Sequence, residues 1–257
     1  MTNASNESLY REAARLWHES SYPIAFTGAG ISVASGIPDF RSPGGLWSKY
    51  DPMKVATAEA LLNNPRGVWE FLLDTVDLFD RCGPNPAHEA LARLENEDKL
   101  QGVITQNVDN LHQRAGSYCV VEYHGNFQRF FCQKCSKSEP LEQVGQVTSE
   151  SIPPYCEACG GLIRPDVVFF GEAIPTEAQQ HSRDLVRKAD LIIIVGTSGE
   201  VAPANTIPRQ IKWKGGSVIE INLGSTWYED ITDVRFDAPV EEVLPRFAEQ
   251  VLSGQSA

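Results

Sequence analysis

Four cysteines in two close pairs are the feature that most constrains how this chain can fold. Two residues separate Cys132 from Cys135, two separate Cys156 from Cys159, and twenty lie between the pairs. Two such pairs can close a tetrahedron of thiolates around one Zn²⁺. Because four cysteine ligands leave no open coordination position, the spacing predicts a structural zinc. A disulfide pair or a chance spacing is the alternative, and the other two cysteines of the chain lie outside the pattern.

The charge of the cysteine segment argues against a nucleic-acid partner. Between Gln128 and Pro165, four basic residues are balanced by four acidic residues, and the whole chain carries a net charge of −12 with a pI of about 4.9. A protein that binds phosphate backbones usually presents a basic face. We therefore expect no nucleic-acid binding. An acidic surface favours basic partners such as lysine-rich peptides, or it serves only solubility.

Short apolar runs that end in small or polar residues predict parallel strands. These runs are Tyr22–Thr27, Gly102–Thr105, Val120–His124, Leu191–Gly196 and Ser217–Asn222. Helical patterns lie before, between or after them, at Leu9–Trp17, Asn85–Asn96, Thr176–Ala189, Val201–Lys212 and Pro239–Leu252. Strands that alternate with helices predict an α/β fold, a Rossmann-like parallel sheet with helices on both faces.

Two stretches interrupt this alternation. Residues 39–84 have a helical pattern with several proline breaks, and residues 128–165 contain the four cysteines and few apolar runs. A segment so poor in apolar residues would depend on its metal to stay folded. We predict that both stretches form a smaller lobe, a helical insertion plus a zinc-ribbon module. The Rossmann-like domain would then comprise residues 1–38, 85–127 and 166–257.

The chain also lacks the signals of a membrane or secreted protein. Its longest pure aliphatic run, Leu191–Val195, is far shorter than the roughly 18 apolar residues that a spanning helix needs. The polar stretch Met1–Glu7 has no basic region followed by an apolar one. We therefore expect a cytoplasmic protein with no membrane partner.

Polar residues collect at the carboxyl ends of the predicted strands. In open parallel sheets the ligand lies beyond these ends, so the clustering predicts a single active cleft. The residues concerned are Gly28, Gln106, Asn107, His124, Thr197, Ser198 and Asn222.

The first strand runs into a glycine turn of the type that binds phosphate. Gly28 and Gly30 match the start of the dinucleotide fingerprint, but Val33 stands where its third glycine belongs. A tight strand–helix turn alone would also explain the two glycines. The loop that follows carries Asp39, Phe40 and Arg41, of which the arginine could pair with a pyrophosphate and the phenylalanine could cover a flat ring.

Two further positions have side chains suited to chemistry. Gln106, Asn107 and Asp109 follow a strand directly, where amides could recognise a carboxamide and ribose hydroxyls, although solvated loops have similar compositions. His124 ends an apolar strand and precedes Gly125, which leaves the imidazole unobstructed. A histidine so placed can serve as a general base near neutral pH.

As an ordered set, these motifs resemble the sirtuin family of NAD-dependent protein lysine deacylases, of the bacterial or archaeal type. The resemblance extends from about residue 8 to residue 250. The motifs that carry it, besides the four cysteines, are Gly28–Ser32, Gly36–Arg41, Thr105–Asp109, His124–Gly125, Val167–Glu172 and Gly196–Ser198.

The resemblance implies NAD as co-substrate, a structural Zn²⁺, and acyl-lysine proteins or peptides as substrates of a monomeric enzyme. The implied catalytic residues are His124 and Asn107. The implied NAD-binding residues are Gly28, Ala29, Gly30, Asp39, Phe40, Arg41, Gln106, Asn107, Asp109, Gly196, Thr197, Ser198 and Asn222. The peptide would lie as an added strand between two loops, against Val168, Phe170, Gly171, Glu172, Glu200 and Val201.

The resemblance also implies a mechanism. Loss of nicotinamide leaves an electron-poor ribose carbon, which the amide oxygen of the acyl-lysine attacks. His124 then deprotonates a ribose hydroxyl that attacks the captured acyl group, so the products are lysine, nicotinamide and O-acyl-ADP-ribose. The alternatives are a protein mono-ADP-ribosyltransferase on the same fold and a non-catalytic module that binds NAD or zinc.

The acyl group is expected to be neutral. A branch of the family that removes succinyl and malonyl groups uses a Tyr-x-x-Arg pair in the helical insertion to bind the extra carboxylate. Leu72 and Thr75 occupy those places here, close to several aspartates. Because a buried carboxylate needs a cation, we predict acetyl-lysine first and longer neutral acyl chains next.

Overall fold

The predicted apolar runs form most of a six-stranded parallel sheet. The structure is a computed structural model, and it describes residues 3–39, 44–139 and 147–254. In chain order the strands of the sheet are β1 (Pro23–Thr27), β2 (Val103–Thr105), β3 (Val120–Glu122), β7 (Leu191–Val195), β8 (Ser217–Ile221) and β9 (Val234–Phe236). Their spatial order is β3-β2-β1-β7-β8-β9. The predicted parallel sheet is confirmed.

The order of the strands reverses between β1 and β7. The chain moves outward from β1 through β2 to β3 on one side, and from β7 through β8 to β9 on the other. Phe26 of β1 is paired with Ile104 of β2 and with Ile194 of β7. A crevice opens beyond the carboxyl ends of the strands at such a switch point.

Helices cover both faces of this sheet. One face packs against α1 (Asn3–Glu19), α6 (Pro86–Asn96) and α10 (Val240–Ser253), and the other against α8 (Thr176–Lys188) and α9 (Thr206–Trp213). Alternate residues of β7 point to opposite faces, so Ile193 lies in the first core and Ile192 and Ile194 in the second. All five residues of β7 are buried, as a strand covered on both faces requires.

The two interrupting stretches pack together around a third hydrophobic core. The first folds as α2 (Leu46–Lys49), α3 (Pro52–Val55), α4 (Ala58–Asn63) and α5 (Pro65–Arg81). The second contributes an antiparallel sheet of β4 (Gly125–Cys132), β5 (Ser138–Glu139) and β6 (Ile163–Val167) in the order β5-β4-β6. Trp69 of α5 joins them, because its ring stacks on Phe130 and its indole N–H donates to the carbonyl of Ile163 at 3.0 Å. A short helix, α7 (Leu111–Arg114), follows β2.

The structure also contains elements that the sequence analysis did not predict or placed differently. Strand β9 was not predicted, since three residues with a polar Arg235 in the middle give no readable pattern. The third strand ends at Glu122, two residues before His124. The helix predicted from Val201 begins only at Thr206, and Pro203 disfavours helical geometry at Ala202, within the stretch that is not helical. Among the described helices, none combines the length and apolar character needed to cross a bilayer.

Candidate active site

A cleft of about 570 Å³ lies beyond the carboxyl ends of the parallel strands. It brings together every predicted catalytic, NAD-binding and peptide-binding residue except Phe40 and Arg41, which lie outside the described residues. The predicted residues that line it are Gly28, Ala29, Gly30, Asp39, Gln106, Asn107, Asp109, His124, Val168, Phe170, Gly171, Glu172, Gly196, Thr197, Ser198, Glu200, Val201 and Asn222.

Two glycine turns meet at the switch point between β1 and β7. The N–H of Gly28 donates to the carbonyl of Val195 at 3.1 Å, and the N–H of Gly30 donates to that of Gly196 at 2.8 Å. A Cβ added to Gly30 would lie 2.7 Å from the Cα of Gly196, which itself has a positive φ of 62°. Backbone replaces side chains here, so the floor of the cleft is made of main-chain atoms that a ligand can approach closely.

The amides of Gln106 and Asn107 are held in fixed orientations at the edge of this floor. Gln106 donates from Nε2 to the hydroxyl of Thr197 at 2.9 Å. Asn107 donates from Nδ2 to the carbonyl of Gly28 at 3.2 Å and to the hydroxyl of Ser32 at 3.1 Å. Because these donors are engaged by the protein, the amide oxygens are the groups left to receive a ligand's donors.

Ser32 is a cleft residue that the sequence prediction missed. Its hydroxyl donates to the buried carboxylate of Asp109 at 2.7 Å, and the same carboxylate accepts the N–H of Leu111 at 3.0 Å. Burial raises the pKa of Asp109 above its ordinary value, and these hydrogen bonds oppose that rise. Asp109 therefore orients Ser32, and through it Asn107.

His124 faces the cleft with a defined tautomer. Its Nδ1 lies 3.1 Å from the carbonyl oxygen of Gln106. A carbonyl can only accept a hydrogen bond, so Nδ1 carries the proton and Nε2 is the basic nitrogen. Burial lowers the pKa of His124 below its ordinary value, while the hydrogen bond to Gln106 works in the opposite direction. The imidazole is thus neutral near pH 7 and able to accept a proton.

The loop Val168–Glu172 is bonded directly to the His124 segment. The N–H of Val168 donates to the carbonyl of His124 at 2.9 Å. Phe170 exchanges backbone hydrogen bonds with Ala56 and Ala58 of the helical insertion, while its ring is exposed. The main-chain groups of Phe170 are therefore occupied, and this residue presents its side chain to the cleft.

One face of α5 forms an apolar wall of the cleft, of which the sequence analysis had considered only Leu72 and Thr75, for the choice of acyl group. Phe71, Thr75 and Phe79 recur at intervals of four residues and all line the cleft. The hydroxyl of Thr75 is satisfied within the helix, where it donates to the carbonyl of Phe71 at 2.8 Å. The helical spacing was readable in the sequence, but it is equally typical of a core-facing helix.

The four paired cysteines lie together, away from the cleft. Their Sγ atoms are all within 4.8 Å of one another, and two of the pairings measure 3.4 Å (Cys132 to Cys159) and 3.9 Å (Cys135 to Cys156). Zinc–sulfur bonds of about 2.3 Å in a tetrahedron place sulfur atoms about 3.8 Å apart. The donor set fits Zn²⁺ and leaves no open position.

Comparison with known proteins assigns the family. The model of the Sir2 family matches residues 28–203, more than half of the chain. This chain belongs to the Sir2 family. Its match to that family covers the two glycine turns, the Gln106–Asn107 pair, His124 and all four cysteines. The predicted resemblance is therefore confirmed.

Relatives in the Sir2 family are similar over nearly their whole length. The NAD-dependent protein deacylase of Thermococcus kodakarensis is 46% identical over 242 residues, which cover 93% of this chain and 94% of that protein. The NAD-dependent protein deacetylase of Sulfurisphaera tokodaii is 47% identical over 236 residues, covering 91% and 92%. A Sir2 structure described as holding a deacetylated peptide and 3′-O-acetyl ADP-ribose has a TM-score of 0.86 at 36% identity, covering 96% of this chain and 98% of that one.

The cysteine geometry predicts one bound zinc per chain. We expect Cys156→Ser to lose the metal and to lower the melting temperature, because four thiolates around one zinc would hold the cysteine segment folded. Cys119→Ser is the matched control, since Cys119 lies outside the cluster. Mass spectrometry of the native protein measures the metal content, and thermal unfolding measures the stability. A wild-type protein whose melting temperature is the same with and without zinc would contradict this prediction.

Proposed function

We propose that this chain is an NAD-dependent protein lysine deacylase that transfers the acyl group to ADP-ribose and releases nicotinamide. The observation that carries the proposal is that one cleft holds a neutral, oriented His124, the two glycine turns and the loop Val168–Glu172. His124 is hydrogen-bonded to a residue of the proposed NAD site and to the loop, through Nδ1 to the carbonyl of Gln106 and through its own carbonyl to the N–H of Val168. The names of the relatives support the same activity.

The NAD half of the site would be built on the switch point. Gly28, Ala29 and Gly30 would hold the pyrophosphate through backbone groups, with Thr197, Ser198 and Asn222 on the adenosine side. Gln106 and Asn107 would present amide oxygens to the nicotinamide and ribose. When bound, NAD supplies the ribose carbon that accepts the acyl oxygen as nicotinamide leaves.

His124 would act as the general base of the reaction. Its Nε2 is the unprotonated nitrogen and the ring is held by Gln106, so it can take a proton from a hydroxyl in the cleft without reorienting. The burial that lowers its pKa keeps it in the competent, neutral form near pH 7. Asn107 would position the reacting groups, and Asp109 would hold Asn107 through Ser32.

The acyl-lysine peptide would bind between the Val168–Glu172 loop and the Gly199–Val201 segment. Val168 and Phe170 would flank the lysine chain, and the apolar face of α5 would receive the acyl group. We further propose that residues 39–84 and 128–165 form one smaller lobe that zinc helps to hold, since most members of the third hydrophobic core come from these two stretches. A monomer, a cytoplasmic location and the absence of nucleic-acid binding stay predictions.

The first test is the identity of the products. We expect an acetyl-lysine peptide incubated with NAD to yield free lysine peptide and O-acetyl-ADP-ribose, detected by mass spectrometry. His124→Ala should reduce the rate by about a hundredfold or more, as loss of a general base does. His181→Ala should leave the rate unchanged, because His181 lies exposed on α8.

Other products would indicate a different protein. A peptide or protein that gains ADP-ribose while the acetyl group is retained would make this chain a mono-ADP-ribosyltransferase. NAD that binds but stays intact with every acyl peptide offered would make it a binding module.

The pH dependence of the reaction follows from the histidine. As pH falls through the pKa of His124, the imidazole gains a proton and can no longer act as a base. Because burial lowers that pKa, we expect kcat/KM to fall on the acid side with a midpoint below about 6.5, the ordinary histidine value. A pH–rate profile at constant ionic strength measures this midpoint. A midpoint well above neutrality would contradict the assignment of His124 as the titrating base.

The electrostatics of the cleft favour neutral acyl groups. No lysine or arginine is among the described residues that line it, whereas carboxylates of Asp39, Asp109, Glu172 and Glu200 are. Leu72 and Thr75 stand where the succinyl-removing branch has tyrosine and arginine, and Thr75 is already bonded to Phe71. Among the residues that the structure describes, none would supply a cation to an extra carboxylate buried in the acyl pocket.

Acyl preference can be measured directly. We expect kcat/KM for acetyl-lysine to exceed that for succinyl-lysine by about a hundredfold or more, because burying an unpaired carboxylate costs several kcal/mol and about 1.4 kcal/mol is a factor of ten. The double variant Leu72→Tyr, Thr75→Arg should gain succinyl activity, and the apolar control Thr75→Val should not. A wild-type preference for succinyl-lysine would show that the cation comes from elsewhere.

A further inference from the structure

An almost fully buried arginine lies behind the proposed peptide loop. Arg164, on β6, is 5% exposed, and no part of the proposed chemistry uses it. Its guanidinium lies over two aromatic rings, 5.5 Å from the centre of Phe131 and 4.7 Å from that of Phe169. A charge removed from water in this way needs paired partners to be tolerated.

The partners of Arg164 are the two ends of the loop. Its Nη1 and Nη2 pair with the two carboxylate oxygens of Glu172, the second at 2.8 Å, and Nη2 also donates to the carbonyl of Val167 at 2.6 Å. Val167 precedes the loop and Glu172 closes it. The bidentate arrangement fixes the direction of the carboxylate as well as its distance.

Glu172 in turn bonds the loop itself. Its Oε2 accepts the N–H of Phe169 at 2.9 Å, and its own N–H donates to the carbonyl of Phe169 at 3.0 Å. Both carboxylate oxygens are thus engaged inside the protein, although Glu172 lines the cleft. The sequence prediction gave Glu172 a peptide contact, but the structure shows a carboxylate occupied in shaping the loop.

The other side of Arg164 leads to the cysteine cluster. In the antiparallel pairing of β4 and β6, Phe131 is opposite Arg164 and Cys132 is opposite Ile163. The arginine is therefore one residue pair away from the first metal-binding cysteine. A chain of contacts runs from the cluster through Phe131 and Arg164 to Glu172 and the loop.

Stability alone is a weak explanation for this ion pair. The free-energy cost of removing two charges from water offsets much of the attraction between them. Apolar residues of similar size often stabilise such a position as well or better. What the ion pair adds is direction, because a planar guanidinium holds a carboxylate in one geometry. The element so directed is the loop on which the acyl-lysine peptide is proposed to lie.

We propose that Arg164 is a positioning residue for substrate binding, which acts through Glu172 and joins the zinc module to the peptide loop. This inference rests on the proposed deacylase function. The inference predicts different effects on peptide binding and on NAD binding, because Arg164 contacts the peptide loop and has no hydrogen bond to the glycine turns that would hold NAD. Loss of these contacts should weaken peptide binding and leave NAD binding intact.

The experiment compares Arg164→Lys and Glu172→Gln with Arg81→Met, a control that removes an exposed arginine paired on the surface of α5. Binding of a fluorescent acetyl-lysine peptide is measured by anisotropy, NAD binding by calorimetry, and zinc by mass spectrometry. We expect both variants to bind peptide about tenfold more weakly or worse, the loss of one charge-assisted bidentate pair. NAD affinity and zinc content should stay within about threefold of the wild type in both variants, and kcat at saturating peptide should do so in Arg164→Lys.

Hydrogen exchange makes the inference independent of turnover. Backbone amides of Val168–Glu172 should exchange faster in Arg164→Lys than in the wild type or in Arg81→Met, because the loop has lost its support. If the wild type binds the peptide and the loop exchanges faster in Arg164→Lys, but NAD is never cleaved, the proposed function is overturned and the inference stands. Unchanged peptide binding and unchanged exchange would overturn the inference, as would a parallel loss of NAD and peptide affinity, which indicates general destabilisation.

Discussion

The close approach of the turn after β1 to the turn after β7 is the constraint on which the rest of the cleft depends. Gly30 and Gly196 leave no space for a side chain between them. Since these strands are neighbours at the point where the strand order reverses, their turns form a floor of backbone atoms. The residues that follow β2 and β3 line the cleft beside that floor. Among them, Asn107 donates a hydrogen bond to the carbonyl of Gly28.

A layer of buried polar groups lies beneath this floor. The hydroxyl of Thr27, the last residue of β1, bonds to that of Thr105 at 2.8 Å and to the ring of His112 at 2.9 Å. His112 packs edge to face against His88, with ring centres 5.0 Å apart. Burial lowers the pKa of His88 to about 4 and that of His112 well below its ordinary value, so both are neutral. The carboxyl ends of β1 and β2 are thus joined by side chains as well as by the sheet.

Much of the fold and of the site was predictable because it depends on local patterns. Apolar runs ending in polar residues gave the strands, and the topology of a parallel sheet then required their ends to meet. The spacing of the cysteines gave the metal cluster. Strand β9 was missed because a polar Arg235 interrupts its only two apolar residues. Arg164 was missed because its importance comes from partners far away in sequence, and Phe71 and Phe79 of the α5 wall were missed because their spacing is that of any core-facing helix.

The two kinds of miss differ in their physical origin. Arg164 looks like any charged residue until Glu172 and the two phenylalanine rings are placed around it. Phe71 and Phe79 look like core residues, and they are core residues, which happen to border a cavity on one side. No property of the single residue separates the functional member of a core from the structural one.

The α5 wall has a consequence for how an enzyme of this kind can diversify. Phe71 packs against Tyr50 at 5.0 Å between ring centres and Phe79 against Phe127 of β4 at 5.4 Å. The same rings that border the pocket therefore also pack the helical insertion internally and against β4. A substitution that enlarges the pocket removes packing from the lobe that contains it. New acyl preferences are therefore most accessible to lineages with stability to spare, and laboratory redesign of the pocket would do best to begin from a stabilised background.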